Sequence, residues 1–155
     1  MLAIGTYLEL QTRTGAATGY CFQNFFRGET RNYNGKDYIF AAFGFSGSTV
    51  DLEGGNVSAS MVFAVNELDL VVFTQAASEY WLASIRTVWL DPVNLTETDT
   101  YSEELYSITG YDHDLIRLSV RLGSPLDAVS QNAPRRTLNQ KIVGALPSTG
   151  QISLN

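Results

Sequence analysis

The stretch "EYWLASIRTVWLD" (residues 79–91) decides how the rest of the sequence reads. Trp81, Ala83, Ile85, Thr87 and Trp89 alternate with Leu82, Ser84, Arg86, Val88 and Leu90, a period of two that belongs to extended backbone. Both sets are largely apolar, so both faces are expected to be covered and the strand to be central in its sheet. "DPVNLTETDT" (91–100) breaks it.

Upstream the pattern changes to a helical period. Asn66 in a cap position, Glu67 and Asp69 in the first turn, and Leu68, Val71, Val72 and Ala76 at helical spacing predict a helix over Glu67–Ser78. Before it, "VSASMVFAV" (57–65) places Val57, Ala59, Met61, Phe63 and Val65 on one face, a strand with one side buried. "AAFGFSGSTVDLEGGN" (41–56) reads as a glycine-rich loop with room for a short strand. In "RNYNGKDYIF" (31–40), Asn34-Gly35 supplies the two positive-φ residues of a type I′ turn, so Tyr33 and Tyr38 flank a tight hairpin. Two further strands are expected at Ala3–Leu10 and Tyr20–Phe26, around a turn at Gly15–Gly19.

Downstream, "EELYSITGY" (103–111) and "DLIRLSVRL" (114–122) predict two strands joined at "YDHD" (111–114), and the acidic "ETDTYSEE" (97–104) reads as a charged surface loop. The sum is about seven short strands with one inserted helix, a mainly β chain folded as a single antiparallel β-sandwich or β-barrel domain over residues 1–123. Residues 124–155 form a separate expectation. Ser124-Pro125 opens a short helix, Pro134 stops it, and an extended arm follows.

Composition narrows the function. The chain has 155 residues, 45% hydrophobic and 17% charged, with a net charge of −6. An acidic balance argues against general or specific nucleic-acid binding, which needs a surplus of Lys and Arg. The lone cysteine, Cys21, excludes an intrachain disulfide and any zinc cluster built on cysteines, and its aromatic neighbours mark it as a buried apolar side chain. "MLAIGTYLELQT" lacks the layout of a secretory leader, and no apolar run approaches a membrane span, so a soluble product made in a cytoplasm is expected.

The search for chemistry returns little. His113 lies between Asp112 and Asp114, but alternating side chains would place both acids on the face opposite the imidazole, and the composition is that of a turn. Ser46 in "GFSG" departs from the nucleophile-elbow pattern. No phosphate-binding or dinucleotide-binding motif appears, so neither enzyme activity nor a cofactor is expected. Adhesive residues are better represented. Trp89 and Tyr111 are candidate interface aromatics. The arm adds Pro134, Arg135, Arg136 and Lys141, a basic segment on an acidic body suited to docking on a neighbouring subunit. The alternative for the arm is a final strand, Gln140–Ala145, closing the chain's own sheet.

The order of these features resembles the N-terminal part of the phage minor tail protein L family, tail-tip proteins of long-tailed bacteriophages. The resemblance rests on "YNGKDY" (33–38), "FGFSGSTVDLEGGNVSASMVFAV" (43–65), the short helix, "WLASIRTVWLD" (81–91) and the closing "SPLDAV…PRR" (124–136). It implies a β domain in a ring-like homo-oligomer of the tail tip or baseplate, linking the tube-end protein to the central hub. Larger members carry a cysteine-rich domain that can hold an iron–sulfur cluster; with Cys21 alone, no cluster is expected here. Two rival readings stand beside it. A carbohydrate-binding or receptor-contact module would use Trp89 or Tyr111 as a stacking platform, and a small hydrolase would need His113.

Overall fold

The computed structural model describes residues 3–50 and 57–125. Of the expected C-terminal helix only Ser124 and Pro125 are described, with Pro125 helical as expected; the rest of it and the arm, with Pro134, Arg135, Arg136 and Lys141, lie outside the described residues, as does the 51–56 part of the expected loop.

The chain is mainly β. Nine strands, β1 (Ala3–Gln11), β2 (Ala17–Gln23), β3 (Arg31–Tyr33), β4 (Lys36–Phe40), β5 (Phe43–Val50), β6 (Val57–Ala64), β7 (Leu82–Leu90), β8 (Glu97–His113) and β9 (Arg117–Gly123), join in one sheet in the order β3-β4-β2-β1-β7-β8-β9-β6-β5. The one helix among the described residues, α1 (Glu67–Ser78), connects β6 to β7. β7 stands fifth of nine, at the middle of the order, as its two apolar faces require. Its faces serve two cores. Trp81, Ala83 and Ile85 pack into the larger core with Leu8, Phe22, Met61, Phe63, Phe73 and Leu118, while Val88 and Leu90 turn to a smaller one with Tyr7, Cys21 and Tyr38.

The sheet rolls, so that strands from both ends of the order contribute to the larger core. The corner between β4 and β5 draws the ends together. The Ala41 amide donates to the Gln23 carbonyl at 2.9 Å, and the Ala64 amide to the Ala42 carbonyl at 3.0 Å. The fold is therefore barrel-like, and among the described residues no ladder closes it. α1 covers the concave side, with the Phe73 ring 4.7 Å from that of Phe63.

Several sequence expectations need correction. Among the described residues the strands number nine rather than about seven, and β2 pairs parallel with β4 through Phe22–Ile39 and Gln23–Phe40, so the sheet is mixed. The region read as a glycine-rich loop holds the eight-residue β5; a bulge between Phe45 and Ser48, with Gly47 at φ 75°, interrupts the alternation that would have revealed it. The acidic stretch 97–104 is not a loop but the first half of the 17-residue β8. β2 ends at Gln23, and the aromatics after it form a turn.

Gln23 organises that turn. It is fully buried, its amide nitrogen donates to the carbonyls of Phe26 and Glu29, and its amide oxygen accepts from the Phe25 and Phe26 amides. All four hydrogen-bonding positions of the side chain are used, which makes its burial affordable in free energy. The turn places the Phe25 ring against Gly5, where a β-carbon would sit 2.5 Å from the ring.

Helix α1 occupies the expected residues. Asn66 caps it, accepting from the Leu68 amide at 3.3 Å. The buried stripe keeps Val72 and Ala76 of the expected set but not Leu68 and Val71. Asp69, Val72, Phe73 and Ala76 face the core, while Leu68 and Val71 are turned outward.

Candidate functional site

Asn34 and Gly35, at φ 50° and 76°, turn β3 back on β4. The resulting hairpin lies over the outer face of β1, and its two tyrosines meet Tyr7 of that strand. The Tyr33 ring stacks on Tyr7 at 4.5 Å and 12°, and Tyr38 meets it edge-on at 4.7 Å. Phe25 closes a third side at 5.2 Å and 89°. Such aromatic pairs hold the hairpin by area and by ring geometry.

Three ion pairs surround these rings. The Arg31 guanidinium forks onto Glu97 at 3.0 and 3.3 Å, and the Tyr7 hydroxyl donates to the same carboxylate at 2.5 Å. Arg86 donates to Glu103 at 2.6 Å and to the Tyr33 hydroxyl at 3.4 Å, with its guanidinium over the rings of Tyr101 and Tyr33. Lys36 pairs with Glu9. Between hairpin and sheet a cleft of about 160 Å³ remains, lined by Tyr38, Asn34 and Ser84 together with the Lys36–Glu9 and Arg86–Glu103 pairs.

The ion pairs and burial shift the acidic groups of the cluster. Burial works against the charge on Glu97, but the hydrogen bonds from Arg31 and Tyr7 outweigh it and hold its carboxyl below the usual range. The hydrogen bond from Arg86 does the same for Glu103. Burial pushes the phenols of Tyr7 and Tyr38 far above the ordinary tyrosine value. Both carboxyls, of Glu97 and Glu103, are thus held in the charged form by the cations beside them. Every cation lining the cleft faces a carboxylate of the same chain. The cluster acts as a clamp that fixes the hairpin to the sheet.

His113 ends β8 exposed, its ring stacked on Tyr111 at 6.2 Å. Its neighbours are otherwise engaged. Asp112 pairs with Arg121 at 3.4 Å, and Asp114 accepts from the Ile116 and Arg117 amides, both at 2.7 Å, capping the β8–β9 turn. No group of three His, Cys, Asp or Glu able to hold a metal occurs among the described residues.

The two interface aromatics fall in different surroundings. Trp89 is exposed on β7, with Ile4 opposite it on β1, also exposed. Tyr111 is half-buried against the larger core, and its hydroxyl accepts from Thr74 of α1 at 2.9 Å. It joins helix to sheet instead of presenting a free ring. Pro134, Arg135, Arg136 and Lys141 lie outside the described residues.

The surface that sequence reasoning missed is apolar. Leu68 and Val71 of α1 are 59% and 69% exposed, and Leu115 and Ile116 of the β8–β9 turn are 96% and 78% exposed. The two elements are tied together, since the Val65 amide, just before the helix, donates to the Ile116 carbonyl at 3.1 Å. Beside them a shallow groove of about 480 Å³ is lined by Phe40, Phe43, Val62, Ile116 and Arg117. An available signal was the (i, i+3) pair Leu68 and Val71, which falls off the stripe of Asp69, Val72, Phe73 and Ala76.

No protein-family model matches the chain, and no curated protein matches it. Among the described residues no helix is long and apolar enough to cross a membrane.

Proposed function

We propose that this chain is a structural virion protein of a bacteriophage tail tip or baseplate, one protomer of a ring-like homo-oligomer that also contacts the tube-end and hub proteins. The observation that carries an assembly role is the apolar surface of Leu68, Val71, Leu115 and Ile116, each more than half exposed and gathered where α1 begins against the β8–β9 turn. Exposed apolar side chains on neighbouring elements can mark interaction sites, and burying them supplies the core of an interface. The barrel-like body, the clamped hairpin and an order of sequence features that resembles the tail protein L family support the virion reading.

The test is the mass in solution by light scattering, for the native chain and for the Leu115→Asp/Ile116→Asp double variant. A defined oligomer that dissociates in the variant, with an unchanged melting temperature, supports the assembly role. A native chain that stays monomeric alone and with tube-end and hub proteins added overturns it. Exposed Trp89, beside Ile4, favours a second reading as a carbohydrate or receptor contact. Binding of host polysaccharide that Trp89→Ala abolishes would establish that reading instead.

A further inference from the structure

Of the three tyrosines that join hairpin to sheet, two use their hydroxyls within the chain. Tyr7 donates to Glu97, and Tyr33 accepts from Arg86 at 3.4 Å. Tyr38 is the exception. It is 6% exposed, yet among the described residues no group hydrogen-bonds its hydroxyl. Burial of an unpartnered hydroxyl is costly, and native structures rarely leave one without a purpose. The oxygen is not sealed in, because among the described residues the one sealed and unpartnered side-chain polar atom is Ser107 Oγ. Tyr38 lines the cleft of about 160 Å³ between hairpin and sheet, within electrostatic reach of Glu9 on β1 and Arg86 on β7. Its hydroxyl therefore opens into that space.

The rest of the cleft limits what can enter. Its two cations are matched by two carboxylates, Lys36 by Glu9 and Arg86 by Glu103, so the lining is charged but balanced. A charged ligand would have to displace one member of a pair already formed. What the pairs still offer is donors beside acceptors. Lys36 spends one of its three N–H groups on Glu9 Oε1, which leaves two donors next to Glu9 Oε2. A hydroxyl, which donates and accepts at once, suits such a lining better than any charged group. The rings of Tyr7 and Tyr38 add an apolar wall. The volume of 160 Å³ is that of about five water molecules, room for one small ring and not for a chain.

We propose that this cleft binds a single neutral sugar ring, whose hydroxyls bond the Tyr38 hydroxyl and the Lys36–Glu9 and Arg86–Glu103 pairs. The cleft shares no lining residue with the apolar groove beside the assembly surface, so the site stands independently of the virion reading. It is also distinct from Trp89, which does not line it.

Titration of the full chain with glucose, galactose and N-acetylglucosamine, followed by amide NMR, tests it. A ligand this small should bind with a Kd on the order of 1 mM. At least one of the three should saturate there and move the amides of residues 34–38, 84 and 86. Tyr38→Phe should bind that sugar about tenfold more weakly with an unchanged melting temperature, because the hydroxyl has no partner among the described residues to lose. Trp89→Ala should bind it as the native chain does. A disaccharide of the same sugar separates the two sources of such a ring: equal binding assigns the end of a glycan, exclusion assigns the free sugar, and both support the site. No saturable shift with any of the three sugars overturns the proposal. Shifts centred on Ile4 and Trp89, equal affinity in native chain and Tyr38→Phe, or tighter binding of inorganic phosphate in the cleft overturn it as well.

Discussion

Replacing Tyr7 by Phe removes one oxygen atom from the clamp and leaves its rings in place. Tyr7 is 1% exposed and its hydroxyl donates to Glu97, a carboxylate that Arg31 also grips. A hydrogen bond to a charged group contributes about 1.5–3 kcal/mol. Arg31 remains after the substitution, and Glu97 keeps a water-accessible side, so the loss should sit at the lower end, about 1.5 kcal/mol at pH 7. The effect should depend on pH. The native state holds the Glu97 carboxyl below its unfolded value of about 4.3, so its contribution is present above that pH and lost as pH falls through the lower folded value. Tyr7 supplies part of this depression. The gap between native chain and variant should therefore narrow below about pH 4. Urea unfolding at pH 7 and at pH 3 measures both quantities. A loss under about 0.5 kcal/mol at pH 7, or a gap as large at pH 3, would refute the claim that the hydroxyl acts through the charged carboxylate.

Two further substitutions probe the same fold. Gly5→Ala should destabilise by about 1–3 kcal/mol, because its new methyl meets the Phe25 ring at 2.5 Å, and a Phe25→Ala background should remove most of that penalty in a double-mutant cycle; thermal melts of the four proteins decide it. Asp69→Asn should stabilise the chain at pH 7 and lose that advantage in acid. Burial raises the Asp69 carboxyl, so the stability of its protonated form is present below the unfolded value of about 3.9 and lost as pH rises through the folded one. Urea midpoints at pH 7 and pH 3 that move equally in native chain and variant would show that Asp69 is not desolvated.

The clamp was only half legible in the sequence. Asn34-Gly35 identified the hairpin and drew attention to Tyr33 and Tyr38, since turn chemistry is local. Nothing local marked Tyr7, Arg31, Arg86, Glu97 or Glu103. Arg31 and Glu97 are 66 residues apart, Tyr7 and Glu97 are 90 apart, and they meet only because the hairpin folds over β1 and β8 runs back along β7. The acidic stretch 97–104 reads as a loop because several of its side chains face water, which erases the apolar alternation that betrays a strand.

By itself the sequence determined the elements whose cause lies within a few residues: a capped helix from Glu67 to Ser78, the hairpin at Asn34-Gly35, and β7 as the central strand. The tertiary structure alone decided which helix face turns inward, where β5 stands, that β2 and β4 run parallel, and which charges pair. Caps, turns and periodicity act through neighbouring peptide groups, so they can be read along the chain. Exposure, strand order and ion pairing depend on how the sheet rolls. That roll is set by the combined burial of two cores drawn from the whole described chain.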